Sequence, residues 1–348
     1  MAYRDGEPVT IYTVAERAGV SIATVSRVLQ GSRPASAETR SKVLRAAAEL
    51  DYVPLRAGRA LPTDRHEAHG LVLPELSGPY YSAVLMGYES AAAHYGQSVV
   101  VVVTANRSDM RRTVRDLTAR VDGLVIAQST LPDAAVATIR RKIPTVLLAR
   151  EPVRGCPTVT AENVHAATEL ARHLLDHGRS RLVFVGDPQG SPDVRRRYAG
   201  FRAALEERGM TEAAPPIPAI LDERYAADVA AELRRLGSRV DAAVCANDEL
   251  ALGLMVMLNA QGVRVPHDLA LTGWDDIMTA RYMGLSTVRQ PMHELGRLAA
   301  THLHRLVNDP ALADRPDPEP LPSRVVLRGS CGCHWDRTTA VRGKDSPP

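Results

Sequence analysis

The 348-residue chain carries 43 Lys/Arg against 40 Asp/Glu and is 45% apolar, enough to bury cores in two or three domains and too balanced for a disordered or fibrous protein. No basic-then-apolar leader opens it, and no apolar run reaches the roughly 18 residues a membrane span needs. Cysteines at 156, 245, 331 and 333 are too few and too uneven for a secreted disulfide framework, so the expectation is a cytoplasmic chain with reduced thiols.

The net charge of +3 is local: residues 1–65 hold ten Lys/Arg and seven Asp/Glu, and the remainder balances at thirty-three of each. From Arg17 to Arg45 six cations (Arg17, Arg27, Arg33, Arg40, Lys42, Arg45) face only Glu38, the footprint of a phosphate-contacting surface. In the same stretch Thr10 can cap a helix with apolar Val14, Ala15 and Ala18, ended by Gly19. Ser21 caps a second, burying Val25, Val28 and Leu29 and presenting Ile22, Ala23, Ser26, Arg27 and Gln30. Ser36 caps a third that buries Val43, Leu44, Ala47 and Leu50 before Pro54. Three short helices with a glycine turn between the first two predict a helix-turn-helix, whose second helix lies in the major groove. Arg27 is the natural guanine reader, Ile22 and Ala23 can meet thymine methyls, and Ser21, Thr24, Thr39 and Arg40 suit phosphate. The run Val9 to Gly31, with Ser36-Ala-Glu-Thr-Arg and Leu50-Asp-Tyr-Val-Pro, resembles the headpiece of the LacI/GalR family of transcription regulators. The resemblance adds Thr10 and Tyr12 to the DNA-binding set. It also implies a hinge helix at Arg56-Ala-Gly-Arg-Ala-Leu61, where Leu61 wedges into the minor groove and Arg56 and Arg59 reach phosphate or groove. Gly58 weakens such a helix by about 1 kcal/mol, so the segment is expected to order only on DNA.

From Gly70 short apolar runs alternate with amphipathic helical stretches: Leu71–Leu73, Val99–Val103, Gly123–Ile126, Thr145–Leu148, Leu182–Val185, Ala242–Cys245 and Leu269–Leu271. Strands buried on both faces and alternating with helices predict doubly wound parallel sheets, which bind ligands beyond the carboxyl ends of their strands. Leu76-Ser-Gly-Pro-Tyr-Tyr, Arg197-Tyr-Ala-Gly-Phe, Ala246-Asn-Asp-Glu-Leu-Ala-Leu-Gly, Gly273-Trp-Asp-Asp and Ser286-Thr-Val-Arg-Gln-Pro extend the resemblance over nearly the whole region. It implies an α/β effector domain like the periplasmic sugar-binding proteins, with crossovers near 161, 289 and 321 and the ligand between two subdomains. The implied division is a headpiece at 8–54, hinge and linker at 55–69, an effector and dimerisation domain at 70–335, and a polar tail at 336–348. Subdomain one takes about 70–161 and 290–320, and subdomain two about 162–289 and 321–335.

Family ligand positions fall on Tyr80, Arg197, Asn247, Asp275 and Gln290, types that suit a polyol; Arg197 and Asp275 can instead pair with each other. Trp274 is either a stacking platform or packing. Two departures bear on the ligand: Asp222-Glu-Arg-Tyr leaves Glu223 or Tyr225 as the cleft residue, and Glu162-Asn163 stands at the first crossover. Cys331-Gly-Cys333-His334 has metal-ligand types but no distant second pair, and is read as a strand end; His66 and His69 fall in the linker. No metal or cofactor is expected. The implied function is a homodimeric regulator, a repressor of a near-palindromic double-stranded operator, controlled by a small-molecule effector: a sugar first, a purine or nucleoside second. A solute-binding protein and an enzyme are the rival classes, and no nucleophile, base and orienting group can be assembled for the latter.

Overall fold

The computed structural model describes residues 9–30, 35–52, 65–105, 107–128 and 130–333, which fall into two compact units divided after His66. The hinge positions Arg56, Gly58, Arg59 and Leu61, the side chain of Gln30, and the tail at 336–348 lie outside the described residues.

The first unit holds three helices, α1 (Ile11–Ala18), α2 (Ile22–Gln30) and α3 (Ala37–Glu49). At the start of α1 the Thr10 N–H donates to the Thr13 hydroxyl at 2.7 Å, and Gly19 closes the helix with φ +67, a conformation only glycine adopts without strain. Ser21 and Ser36 accept from the N–H groups of Thr24 and Thr39, each at 3.2 Å, so α2 and α3 begin where the hydroxyls predict. Val14, Val25 and Val43 meet in the middle, fully buried, each stabilising the unit by roughly 1.5–3 kcal/mol. One apolar position differs from expectation. Leu44 is 46% exposed and Ala46 takes its place in the core, because the buried stripe runs Val43, Ala46, Ala47, Leu50 at helical spacing and Leu44 lies one position off it.

In the second unit β1 (Ala68–Leu73), α4 (Pro79–His94), β2 (Ser98–Val103), α5 (Met110–Leu117), β3 (Gly123–Ala127), α6 (Asp133–Ile139), β4 (Thr145–Leu148) and β5 (Thr158–Val159) build a five-stranded parallel sheet ordered β2-β1-β3-β4-β5. There follow α7 (Val164–Asp176), β6 (Leu182–Val185), α8 (Pro192–Glu206), α9 (Ala226–Leu236), β7 (Ala242–Cys245), α10 (Asp248–Ala260), β8 (Ala270–Thr272) and α11 (Met278–Met283). The second sheet is ordered β6-β7-β8, again parallel, and is extended by single bridges from Ile217 to Val185 and from Ser286 to Thr272. Counting those bridges, it repeats the order of the first sheet. The segment beside β6 stays a single bridge because Pro215, Pro216 and Pro218 have no N–H to donate, which confines it to an edge. The chain then forms β9 (Thr287–Arg289), α12 (Met292–Asn308) and β10 (Arg324–Val326), with β9 and β10 antiparallel.

Apolar clusters cover both faces of each sheet: α4 with α12 and α5 with α6 on the first, α9 with α10 and α7 with α8 on the second. Only β2, at the edge, is partly exposed along its length, so its expected two-sided burial does not hold. The α4–α12 contact is close enough that a Cβ on Gly87 would fall 1.9 Å from the His293 carbonyl oxygen, and one on Gly296 1.9 Å from that of Val84.

His69 lies in β1, fully buried beside Tyr88 and His304, and not in a linker. Burial, reinforced by His304, holds its imidazole down at about 4. The unfolded chain therefore binds this proton first, so the stability His69 permits is complete above about pH 6.5 and is lost as pH falls toward 4. A His69→Leu variant should lack this component: between pH 6.5 and 5 the wild type should lose about 2 kcal/mol relative to it in urea unfolding. Parallel pH curves for the two proteins would contradict the assignment.

Candidate functional site

Two surfaces carry the functional residues. On the first unit, Ser21, Ile22, Ala23 and Arg27 stand exposed along one side of α2, with Thr24 and Ser26 half-buried beside them. Thr10, Tyr12 and Arg40 are exposed and Thr39 is half-buried. Tyr12 is 67% exposed, an unusual position for an aromatic ring unless it meets a partner. The cationic footprint is narrower than the sequence count: Arg17 pairs with Glu49 at 2.5 Å and Lys42 with Glu38 at 2.8 Å. Among the described residues Arg27, Arg40 and Arg45 make no ion pair, and these are the guanidinium groups open to phosphate or base edges.

In the second unit a cleft of about 380 Å³ is lined by loops that leave the carboxyl ends of strands in both sheets. Pro74 and Glu75 follow β1, Gln128 follows β3, Asp187 follows β6, Asn247 follows β7 and Asp275 follows β8. Tyr80, Arg197, Asn247 and Asp275 come together in the lining of the cleft, while Trp274 and Gln290 stand behind the wall.

Arg197, on the buried face of α8, is fixed from three sides. Its guanidinium carbon lies 4.7 Å from the centre of the Trp274 ring, Nε donates to Asn163 Oδ1 at 2.9 Å, and Nη1 donates to the Ala246 carbonyl at 2.6 Å. These bonds use two of its five donors. Trp274 packs with Ala166, Ala167, Leu170 and Val288, so it is a buried platform for Arg197 and offers no face to the cleft. The Arg197–Asp275 ion pair weighed above does not form; the two groups share the cleft with their charges unjoined.

Asp275 is fully enclosed, and burial pushes its carboxyl up to about 8 although Arg197 and Gln290 pull the other way. Gln290 donates to its Oδ1 at 2.5 Å. Asn247 caps α10, accepting from the Leu250 N–H at 3.2 Å and donating to the Leu221 carbonyl at 3.0 Å, so it shapes the wall as much as it offers an amide. Tyr80 and Tyr81 meet edge to face at 4.9 Å, and both phenol oxygens are buried without a protein partner, with burial raising their pKa values.

Sequence reasoning missed Asp193 and Glu249. Asp193, in the first turn of α8, reads as an ordinary helix-start acid; folded, it accepts from Asn163 Nδ2 at 3.2 Å and lines the cleft, where burial raises its carboxyl against the pull of Arg197 and Arg196. Glu249 is pushed up to about 7 by burial and by Glu223 and Glu75. Its carboxylate comes so close to Gly78 that a Cβ there would lie 2.7 Å from it. The two departures also resolve. Asp222, Arg224 and Tyr225 line the cleft and Glu223 does not. Glu162 caps α7 through the N–H groups of His165 and Ala166, leaving Asn163 to hold Arg197.

The expectation for the C-terminal cysteines needs correction. Cys331 closes a 3-10 turn (Gly329–Cys331) after β10 and is not a strand end, and distant partners exist: His173 of α7 lies 3.4 and 3.3 Å from the two sulfurs, and His177, just past the helix, lies 3.5 Å from that of Cys333. Among the described residues no helix is long and apolar enough to cross a membrane.

Comparison with known proteins matches residues 10–54 to a family described as bacterial regulatory proteins, lacI family, and residues 171–331 to a periplasmic binding protein-like domain. The HTH-type transcriptional repressor CytR of Escherichia coli (strain K12) is 32% identical over 298 residues, covering 83% of this chain and 87% of that protein. The ribose operon repressor of Halalkalibacterium halodurans is 30% identical over 323 residues, covering 92% and 96%. Among solved structures, a Lac repressor dimer bound to operator and the anti-inducer ONPF superposes with a TM-score of 0.82 at 27% identity, covering 93% of this chain and 99% of that one.

Proposed function

Because the chain belongs to the lacI family of bacterial regulatory proteins, transcriptional regulators, we propose that it acts as a homodimeric repressor whose grip on operator DNA is set by a sugar or sugar derivative bound in the second-unit cleft. The observation that carries the ligand class is the lining: the rigid guanidinium of Arg197, the buried carboxyls of Asp193 and Asp275, the amides of Gln128 and Asn247 and three tyrosines converge on one cavity of about 380 Å³. Neighbouring hydroxyls can donate to Asp193 and Asp275 and accept from Arg197, and Tyr80 or Tyr225 can cover an apolar ring face. A relative that regulates a ribose operon supports the same class. In this reading the headpiece spans 8–54 and the hinge and linker fill the stretch from 55 to the start of β1 at Ala68, with a near-palindromic operator matching the two-fold symmetry of the dimer.

A thermal-shift screen of sugars and nucleosides, repeated with Asp275→Ala, tests the ligand class: sugars should raise the melting temperature of the wild type alone. A nucleoside shift with silent sugars would transfer the site to the second class.

On the headpiece, Arg27→Ala should relax base preference at one operator position by about 1–3 kcal/mol, whereas Arg40→Ala should weaken all duplexes alike and reduce the salt slope by about one charge. Fluorescence anisotropy with matched and mismatched duplexes at several salt concentrations reads both. Undiminished discrimination by the Arg27 variant would remove it from base readout.

A further inference from the structure

We propose that His173, Cys331 and Cys333, with His177 beside them, form a binding site for a thiophilic divalent cation of the zinc class. His173, in the last turn of α7, and His177, its C-cap, stand four residues apart with their rings 4.1 Å from each other. On the opposite side Gly332 takes φ +107, which reverses the chain between the cysteines and brings both sulfurs to the His173 ring.

His173 Nε2 lies 3.4 Å from Cys331 Sγ and 3.3 Å from Cys333 Sγ, and Cys333 Sγ lies 3.5 Å from His177 Nε2. A tetrahedral ion with metal–sulfur and metal–nitrogen bonds of zinc length sets its sulfur and nitrogen ligands about 3.5 Å apart, so these separations are already those of a ligand shell. His173 Nε2 meets two sulfurs and Cys333 Sγ meets two ring nitrogens, so one cation among them would touch soft donors from both sides. Cys331 Sγ also accepts from the Ser286 hydroxyl at 3.0 Å, a bond that a metal-bound thiolate keeps.

The His177 ring is also preset. Its Nδ1 is 3.0 Å from the His173 carbonyl oxygen, a contact that requires the proton on Nδ1 and leaves Nε2 free to ligate. Cys331 is buried against Leu174 and Leu175 of α7 while His177 is exposed and Cys333 half-buried, so the site is anchored on one side and open to an entering ion on the other. His173, Cys331 and Cys333 supply three ligand atoms within 4.8 Å of one another, so an ion held by them staples residues 331–333 to α7, with its fourth position on the open side beside His177.

The test uses untagged full-length protein, reduced and stripped with chelator, then titrated with Co²⁺. The expected result is one equivalent per chain with a near-ultraviolet thiolate-to-cobalt charge-transfer band and the visible bands of a tetrahedral site, displaced by Zn²⁺. The Cys333→Ser, His177→Gln double variant, whose changes lie on the open side, should keep its circular dichroism and lose cobalt affinity at least 100-fold. Absence of the charge-transfer band in the reduced wild type, or unchanged affinity in the folded double variant, overturns the proposal. Should the variant fail to fold, maleimide labelling of the wild type decides. Cys156, Cys245 and Cys331 are buried, so labelling reports on Cys333, and Zn²⁺ must protect it for the assignment to stand.

Discussion

Replacing Arg197 by Ala should abolish the response to effector while leaving operator binding in its absence within about twofold of wild type. Arg197 is the one cleft cation held on three sides, by Trp274, Asn163 and the Ala246 carbonyl, so its free donors are aimed without conformational search. Removing a buried, hydrogen-bonded charge that meets ligand costs about 2–5 kcal/mol, which is at least a 30-fold loss of affinity. Arg197→Lys keeps the charge but not the fork and should fall between the two. Isothermal titration with the compound giving the largest thermal shift measures affinity, and gel shifts with and without it measure the response. Wild-type affinity in the Ala variant would mean that the ligand binds elsewhere.

Gly87→Val or Gly296→Val should cost more stability than any other single change described. Each new Cβ would meet a backbone carbonyl oxygen at 1.9 Å, and a carbonyl in a helix cannot swing aside as a side chain can, so α4 and α12 must separate. Overpacking typically costs 1–3 kcal/mol; here the whole helix pair moves off a shared core, and the loss should reach at least about 3 kcal/mol. Urea unfolding of purified variants gives the number, and Gly96→Ala is the control for position: nothing stands within 4 Å of a Cβ there, so only its positive φ is strained. A loss under 1 kcal/mol at Gly296 would show that the helices are not in such close contact.

The headpiece was legible because everything that defines it is local: hydroxyl caps, a glycine at the turn and helical spacing of small apolar residues all lie within fifty positions. Leu44 misled because residue type and helical phase disagree there, and phase decides burial. Seven strands were readable as apolar runs, even β8 with its three residues, whereas β5, β9 and β10 carry no apolar run of their own and form only because neighbours supply partners. Cleft residues with a polar handle at a strand end could be named in advance. What could not be read was which of them touch one another. Asn163 and Arg197 are thirty-four positions apart, Trp274 reaches Arg197 of α8 from the loop after β8, and His173 is about 160 positions from the cysteines it faces.

Asp275 and Asp276 are consecutive residues, both at positive φ, +117 and +56, a conformation that costs of order 1–3 kcal/mol at a non-glycine position. That twist turns one carboxylate toward the cleft and the next into a buried grip between Arg289 and Arg328. Because Arg289 ends β9 just before the chain returns to the first sheet, the two side chains sit on either arm of a short rigid lever whose fulcrum is a single peptide link. A displacement of one arm by even a fraction of an ångström has little slack in which to dissipate before it reaches the crossing strand.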